Sequence, residues 1–176
     1  MALALTQSSS SSLSLISSLT ICISMIRSEK KLSSSYRRII FGMSVYDIFL
    51  SLGMLFSTMA SPKDTVGVWN PMGNKLTCNI QGFFVYIGWV GAPLYNFGLC
   101  IYYLFISKYA MRESTFSKKV EPFLHLVPFL YTFSTATFFA IRGLYHNNGA
   151  FCFLSPYPRG CLQNPNVDCE RGVDYL

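Results

Sequence analysis

The chain has 176 residues, of which 51% are hydrophobic, 16% aromatic and only 12% charged. A soluble domain usually carries about 25% charge, so this composition excludes an ordinary soluble globule and fits segments that must keep charge out. The net charge of +6 would suit a nucleic-acid partner only on a folded polar surface; here it sits in short stretches between apolar segments, as cytoplasmic loops of a membrane protein do.

Residues 1–12 form a Ser-rich N-terminus, and residues 13–26 read as a weak first span ending at Arg27. The apolar character over 3–26 also allows a longer, serine-tolerant helix. A secretory signal peptide is the rival reading, but it wants positive charge ahead of the apolar stretch, and no Lys or Arg precedes residue 27. The inner loop 27–38 carries Arg27, Lys30, Lys31, Arg37 and Arg38 against Glu29. The second span, 39–60, holds one charge, Asp47; as a helix it is about 33 Å long, enough for a hydrocarbon core of about 30 Å. Residues 61–79, with Trp69, Asn70, Pro71, Gly73 and Asn74, form the first outer loop.

The third span, 80–107, contains no charged residue. Its length predicts tilt, and Pro93 predicts a bend. The second inner loop, 108–121, carries Lys108, Arg112, Lys118 and Lys119 against Glu113 and Glu121. The fourth span is 122–142. Residues 143–176 form a loop-like, Cys-rich second outer segment. With the most basic loops in the cytoplasm, the N-terminus, the 61–79 loop and the Cys-rich tail face outward. Cysteine usage agrees: Cys78, Cys152, Cys161 and Cys169 border water and fit disulfides in an oxidising compartment. Cys22 and Cys100 lie within apolar runs and read as small hydrophobes. No spacing resembles a zinc site.

Inside the spans, Asp47 is the residue that needs explaining, because an ionised Asp at a helix centre costs about 3 kcal/mol on insertion scales. Ser44, Asp47, Ser51 and Thr58 share one helical face, which should meet protein and not lipid. Matching depths predict a polar cluster of Ser18, Asp47 and Asn96 across the first three helices, serving either as glue between helices or as a switch. Gly88, Gly91 and Ala92 predict a close helix contact. Tyr86, Trp89 and Tyr95 are candidates to line a cavity, although aromatics in spans more often pack.

The order of these features resembles the rhodopsin-like and cAMP-receptor-like seven-helix G-protein-coupled receptors, particularly the divergent sets of protist algae. The stretch YRRIIFGMSVYD from Tyr36 to Asp47 resembles the basic first inner loop entering helix two with its buried acid. Trp69, Gly73, Asn74 and then Cys78 resemble the first outer loop and the cysteine atop helix three. Tyr95, Asn96, Leu99, Tyr102 and Tyr103 resemble helix three of the algal receptors, and Phe151, Cys152, Phe153, then Pro158 to Cys161, resemble the second outer loop. The resemblance covers roughly 13–172. It departs where the family closes helix three with Asp-Arg-Tyr: Tyr102, Tyr103 and Leu104 stand there instead, and G-protein contact through that arginine does not carry over. Residue 153 is Phe where many relatives have Trp. Nothing in these residues resembles spans five to seven, on which coupling in such receptors relies.

The resemblance implies an all-α membrane fold, an antiparallel transmembrane helix bundle holding four of seven receptor helices with a disulfide-bonded outer loop. It implies a first disulfide between Cys78 and Cys152, leaving Cys161 and Cys169 for a second; sequence alone does not choose among the three pairings of four cysteines. It implies an outside ligand whose identity is unknown, and a heterotrimeric G protein as partner of a full-length form. The alternative is a complete four-span membrane scaffold or receptor-modulating protein. A transporter or channel subunit would call for inverted repeats or several intramembrane charges, and an enzyme for an acid–base pair or phosphate loop. Neither pattern is present, and no cofactor, metal or nucleic-acid partner is expected beside the lipid bilayer.

Overall fold

A computed structural model describes residues 2–28, 32–63, 65, 68–157 and 161. Four of its helical stretches are long and apolar enough to cross a membrane, which makes this an antiparallel helical bundle of a multi-pass membrane protein. The first helix, α1, spans Ala2–Arg27. It therefore includes the serine run and starts well before residue 13. The reason is local: Ser9, Ser11, Ser12 and Ser17 each donate to the carbonyl four residues back at 2.7–2.9 Å. A hydroxyl satisfied by its own backbone does not break a helix and shows lipid little polarity.

Helix α2 spans Ser35–Leu55, and Ser34 caps it by accepting from the Arg37 backbone N–H. Ser57 then takes a left-handed φ of 42°, and a 3-10 turn, Ser57–Ala60, finishes what the hydropathy pattern treats as one span. Helix α3 spans Lys75–Tyr103. A capping box starts it, Asn74 accepting from the Thr77 N–H while Thr77 Oγ1 accepts from the Asn74 N–H. A π-helical turn, Leu104–Lys108, extends it toward the inner loop. That loop is itself partly helical: α4 spans Glu113–Lys119. Helix α5 spans Glu121–Ile141, with Pro122 in its first turn, where a missing N–H is harmless. The loop-like outer segment holds a small hairpin. Strands β1, Tyr145–Asn147, and β2, Cys152–Leu154, pair antiparallel with Tyr145 opposite Leu154 and Asn147 opposite Cys152.

The bundle is built around α3, which packs against α2 on one side and α5 on another. Helix α1 packs on α2. The α2–α3 seam has interlocking relief: Gly88 lies against the Leu50 backbone and Gly91 against the Tyr46 ring, leaving no room for a side chain at either glycine. Tyr46, Ile87, Tyr95 and Ala136 join the buried core beside it. On the opposite face of α2, Ser44 and Ser51 are buried and Asp47 is half-buried, whereas Thr58 lies beyond the helix in the 3-10 turn and donates to the Trp69 carbonyl at 2.8 Å. Ser51 donates to Ser14 of α1 at 3.0 Å, so this polar stripe is a seam between helices.

A side chain at residue 88 should separate α2 from α3. Gly88→Val is expected to cost about 1–3 kcal/mol through overpacking, read as earlier unfolding in detergent. Gly98→Ala, whose added carbon would meet only Leu124 at 3.6 Å, should leave that transition unchanged or slightly later.

Candidate functional site

At the end of the bundle that carries the hairpin, the fold converges on Gln81 and the disulfide. Cys78 stands in the first turn of α3 and bonds to Cys152 of β2, with Cα atoms 5.3 Å apart. One turn deeper, Gln81 is buried, 3% exposed. Its amide nitrogen donates to the carbonyls of Gly53 at 3.0 Å and Ser57 at 2.7 Å, and its oxygen accepts the Cys152 N–H at 2.8 Å. Those two carbonyls flank the break after α2, where the helical ladder ends and backbone oxygens lack partners. One glutamine thus joins the adjoining ends of α2 and α3 to the hairpin.

The hairpin is seated by its own side chains. Asn147 donates to Ser61 Oγ, and its oxygen accepts the Gly149 N–H at 2.6 Å. Tyr145 is buried against Gly82 and donates to the Ala136 carbonyl at 3.2 Å. Burial raises its phenol pKa far above the ordinary value. Phe153 covers Tyr86 and Trp89, with ring centroids 6.2 and 6.0 Å away, and Phe139 meets Tyr86 edge-on at 5.2 Å. Asn79 donates to the Ala140 carbonyl at 3.1 Å, while its buried oxygen has no hydrogen-bond partner among the described residues.

At the opposite, basic end a second cluster binds α2 to α4 and α5. The Arg38 guanidinium pairs with both carboxylate oxygens of Glu121 and also donates to Ser117 at 2.9 Å and the Leu32 carbonyl at 2.6 Å. Ser35 donates to Glu121 at 2.7 Å through its hydroxyl and to Glu113 at 2.8 Å through its backbone. A two-pronged guanidinium–carboxylate contact fixes orientation as well as distance. Deeper still, the Tyr95 hydroxyl is 2.8 Å from His125 Nδ1, and His125 Nε2 is 3.5 Å from Glu121. Beside this chain of groups, α2 and α5 leave a lateral groove of about 760 Å³, walled mainly by Phe41, Val45, Phe49, Phe129 and Phe133.

The expected polar cluster of Ser18, Asp47 and Asn96 is not joined by hydrogen bonds among the described residues. Ser18 is buried, Asp47 half-buried and Asn96 exposed. Tyr86 and Tyr95 are buried in packing contacts, and Trp89 is 54% exposed. Cys161 is buried and disulfide-bonded; Cys169, its expected partner, lies outside the described residues. Sequence reasoning missed Gln81, which stood unremarked in an uncharged run, and the Arg38–Glu121 pair, whose members counted only as loop charge. The available signal was that Glu121 precedes Pro122 at a helix start, where an acid is favoured. Among the described residues no group of three His, Cys, Asp or Glu side chains is placed to hold a metal ion.

No family model matches this chain, and no curated protein or solved structure matches it either.

The inner cluster is testable by a double-mutant cycle. Glu121→Gln alone should cost about 3 kcal/mol, because it leaves Arg38 half-buried without its counter-charge. The double variant Arg38→Met, Glu121→Gln should cost clearly less than the sum of the two single changes. Additive losses would mean that the pair is not coupled.

Proposed function

We propose that the chain is a G-protein-coupled-receptor-like transmembrane signalling protein carrying the first four helices of such a bundle. What supports the reading is the Cys78–Cys152 bond: it ties the first turn of α3 to the hairpin after α5, the pairing that the family resemblance implies. A bond in this place pins the outer segment over the helix ends and shapes the mouth through which an outside ligand would enter. In this reading the N-terminus and hairpin face outward at the plasma membrane. The basic end, with Arg37, Arg112, Lys118 and Lys119, faces the cytoplasm, where a full-length form would meet a heterotrimeric G protein. The Arg38–Glu121 clamp holds α2 and α5 together at that face, so movement of either helix would be passed to α4 and its basic residues.

The second reading is a four-span scaffold or receptor-modulating protein without signalling of its own. The observation that favours it is that both helix ends are already tied together within the chain, by Gln81 outside and Arg38–Glu121 inside.

Transcript sequencing across the codon for Leu176 separates the two. A reading frame that continues into three further apolar spans supports the receptor; a stop codon directly after Leu176 removes it in favour of the scaffold. The disulfide itself is tested at the cell surface. Cys78→Ser and Cys152→Ser should each lower surface delivery, and the double variant should be no worse than either, since losing a native disulfide costs about 2–5 kcal/mol once and not twice. Normal delivery of Cys78→Ser would remove the support for this reading. An N-terminal epitope should be reachable by antibody on intact cells; staining only after permeabilisation would reverse the orientation.

A further inference from the structure

Helices α2 and α5 start together at the basic end and run in the same direction, clamped there by Arg38 and Glu121. Beyond the clamp they part around the lateral groove of about 760 Å³. Its walls rise from Arg38 to Phe49 on α2 and from Pro122 to Phe133 on α5, about 16 Å in each case. That is about half of a hydrocarbon core of about 30 Å, so the groove is one leaflet deep. Two hydrogen bonds cross its floor: the Tyr46 hydroxyl meets Thr132 at 3.3 Å, and the Tyr95 hydroxyl meets His125 Nδ1 at 2.8 Å. Gly42 lets this floor form, since its lack of a side chain leaves room for the Tyr95 ring.

The groove faces lipid in either functional reading. Helix α1 takes the opposite face of α2, where Ser51 meets Ser14. Further helices would find the uncovered side of α3, at Pro93 and Cys100. Tyr95, in the groove, lies about 160° and about 140° around α3 from those two residues. Leu126 and Phe129 stand exposed along the open side. A gap of this size suits a small hydrophobic molecule or a lipid chain. Left empty, its aromatic walls would forfeit dispersion contacts, so hydrocarbon fills it.

The mouth decides which lipid supplies that hydrocarbon. The two loops at this end hold nine basic residues against three acids. Arg38 is committed to Glu121, Ser117 and the Leu32 carbonyl. Arg37, Lys118 and Lys119 have no ion-pair partner among the described residues. Arg37 stands one turn from Phe41 on the same side of α2. Lys118 and Lys119 follow Ser117, which accepts from Arg38 at 2.9 Å. A neutral hydroxyl such as a sterol's finds less here, because Tyr95, His125, Glu121 and Arg38 already bond one another.

We propose that the groove is a binding site for an anionic phospholipid of the leaflet at the basic end. One acyl chain lies between Phe41, Val45 and Phe49 on one side and Phe129 and Phe133 on the other. The headgroup lies among Arg37, Lys118 and Lys119, and the second chain passes out beside Leu126 into the bilayer. The lipid then bridges α2, α4 and α5, the same elements that the Arg38–Glu121 clamp joins. The site depends on the four-span fold and not on the receptor reading.

Native mass spectrometry of the full chain tests this. The protein is purified in mild detergent and given equal amounts of dioleoyl phosphatidylserine and dioleoyl phosphatidylcholine. The acyl chains are identical, so any preference reports the headgroup. One retained phosphatidylserine per chain is expected, favoured about tenfold over phosphatidylcholine, and excess cholesterol should leave it in place. Changing Arg37, Lys118 and Lys119 together to Gln should abolish the preference. Val45→Trp, which fills the groove, should expel the lipid. Val127→Trp, about 160° around α5 from Phe129, should not. The wild-type comparison and the triple variant do not depend on how Val45→Trp folds. Equal retention of the two phospholipids, a preference that survives the triple variant, or phosphatidylserine kept by Val45→Trp would each overturn the site. So would equal loss from both Trp variants, or displacement by cholesterol. None of these outcomes alters the Cys78–Cys152 results.

Discussion

The close approach of α2 and α3 is the constraint on which the rest of this structure depends. Lipid supplies no hydrophobic force between helices, so association rests on packing and on interhelical hydrogen bonds. Gly88 against Leu50 and Gly91 against the Tyr46 ring bring the two backbones together. That separation then sets what the neighbouring side chains can reach. Gln81, two turns outward from Gly88, is near enough to α2 to take both the Gly53 and Ser57 carbonyls. Tyr95, one turn inward from Gly91, packs on Tyr46 at 5.2 Å between ring centroids and still meets His125 of α5. A wider seam would strand the glutamine and leave the tyrosine without its contact.

The two ends of the bundle solve different problems with different bonds. At the hairpin end, α2 breaks at Ser57 and exposes carbonyls that need donors, and the segment after α5 must be held down against water. A neutral amide and a covalent bond accomplish this without burying charge. At the basic end, α2 and α5 meet among Lys and Arg residues, and Glu121 supplies the acid that Arg38 grips by both oxygens. Its side chain is 6% exposed against 28% for Arg38, so the acid is the buried member and the arginine reaches down to it while staying wet. Such a pair is a poor source of net stability. It is a good source of orientation, since only one rotation of α5 presents Glu121 to Ser35, Arg38 and Ser117 together.

Much of the fold was legible because hydrocarbon imposes simple rules on a sequence. Apolar runs with at most one charge marked all four crossings, basic residues marked one side, and the resemblance supplied the Cys78–Cys152 pairing that the structure contains. What hydropathy misjudged were the ends. It discounted the serine run because it scores a hydroxyl as polar wherever it stands, while in α1 the hydroxyls of Ser9, Ser11 and Ser12 close on their own backbone. It ran α2 through to Ala60 because Ser57, Thr58 and Met59 look no less apolar than a helix, and the left-handed φ at Ser57 has no compositional mark. The hairpin at Tyr145–Asn147 and Cys152–Leu154 is too short for an alternating pattern to register. The Gln81 hub and the Arg38–Glu121 clamp were hidden for a different reason: each joins residues from separate helices, and depth along a span says nothing about rotation around it. The same blindness made Ser18, Asp47 and Asn96 look like neighbours. They are similar in depth, but Asn96 looks out from α3 while Ser18 is buried.

Rotation also decides what a polar group inside a span can do. Polar groups in these helices meet one of three fates. Hydroxyls such as Ser12 and Ser134 close on their own backbone and face lipid at little cost. Groups such as Gln81, Ser51 and Tyr95 turn toward another helix and hold it. Asn96 does neither: it is exposed, and no hydrogen bond reaches its side chain among the described residues. All three kinds of group occur at depths that hydropathy treats alike, and what separates them is rotation about the helix axis, which decides whether a polar atom meets its own backbone, a neighbouring helix or neither.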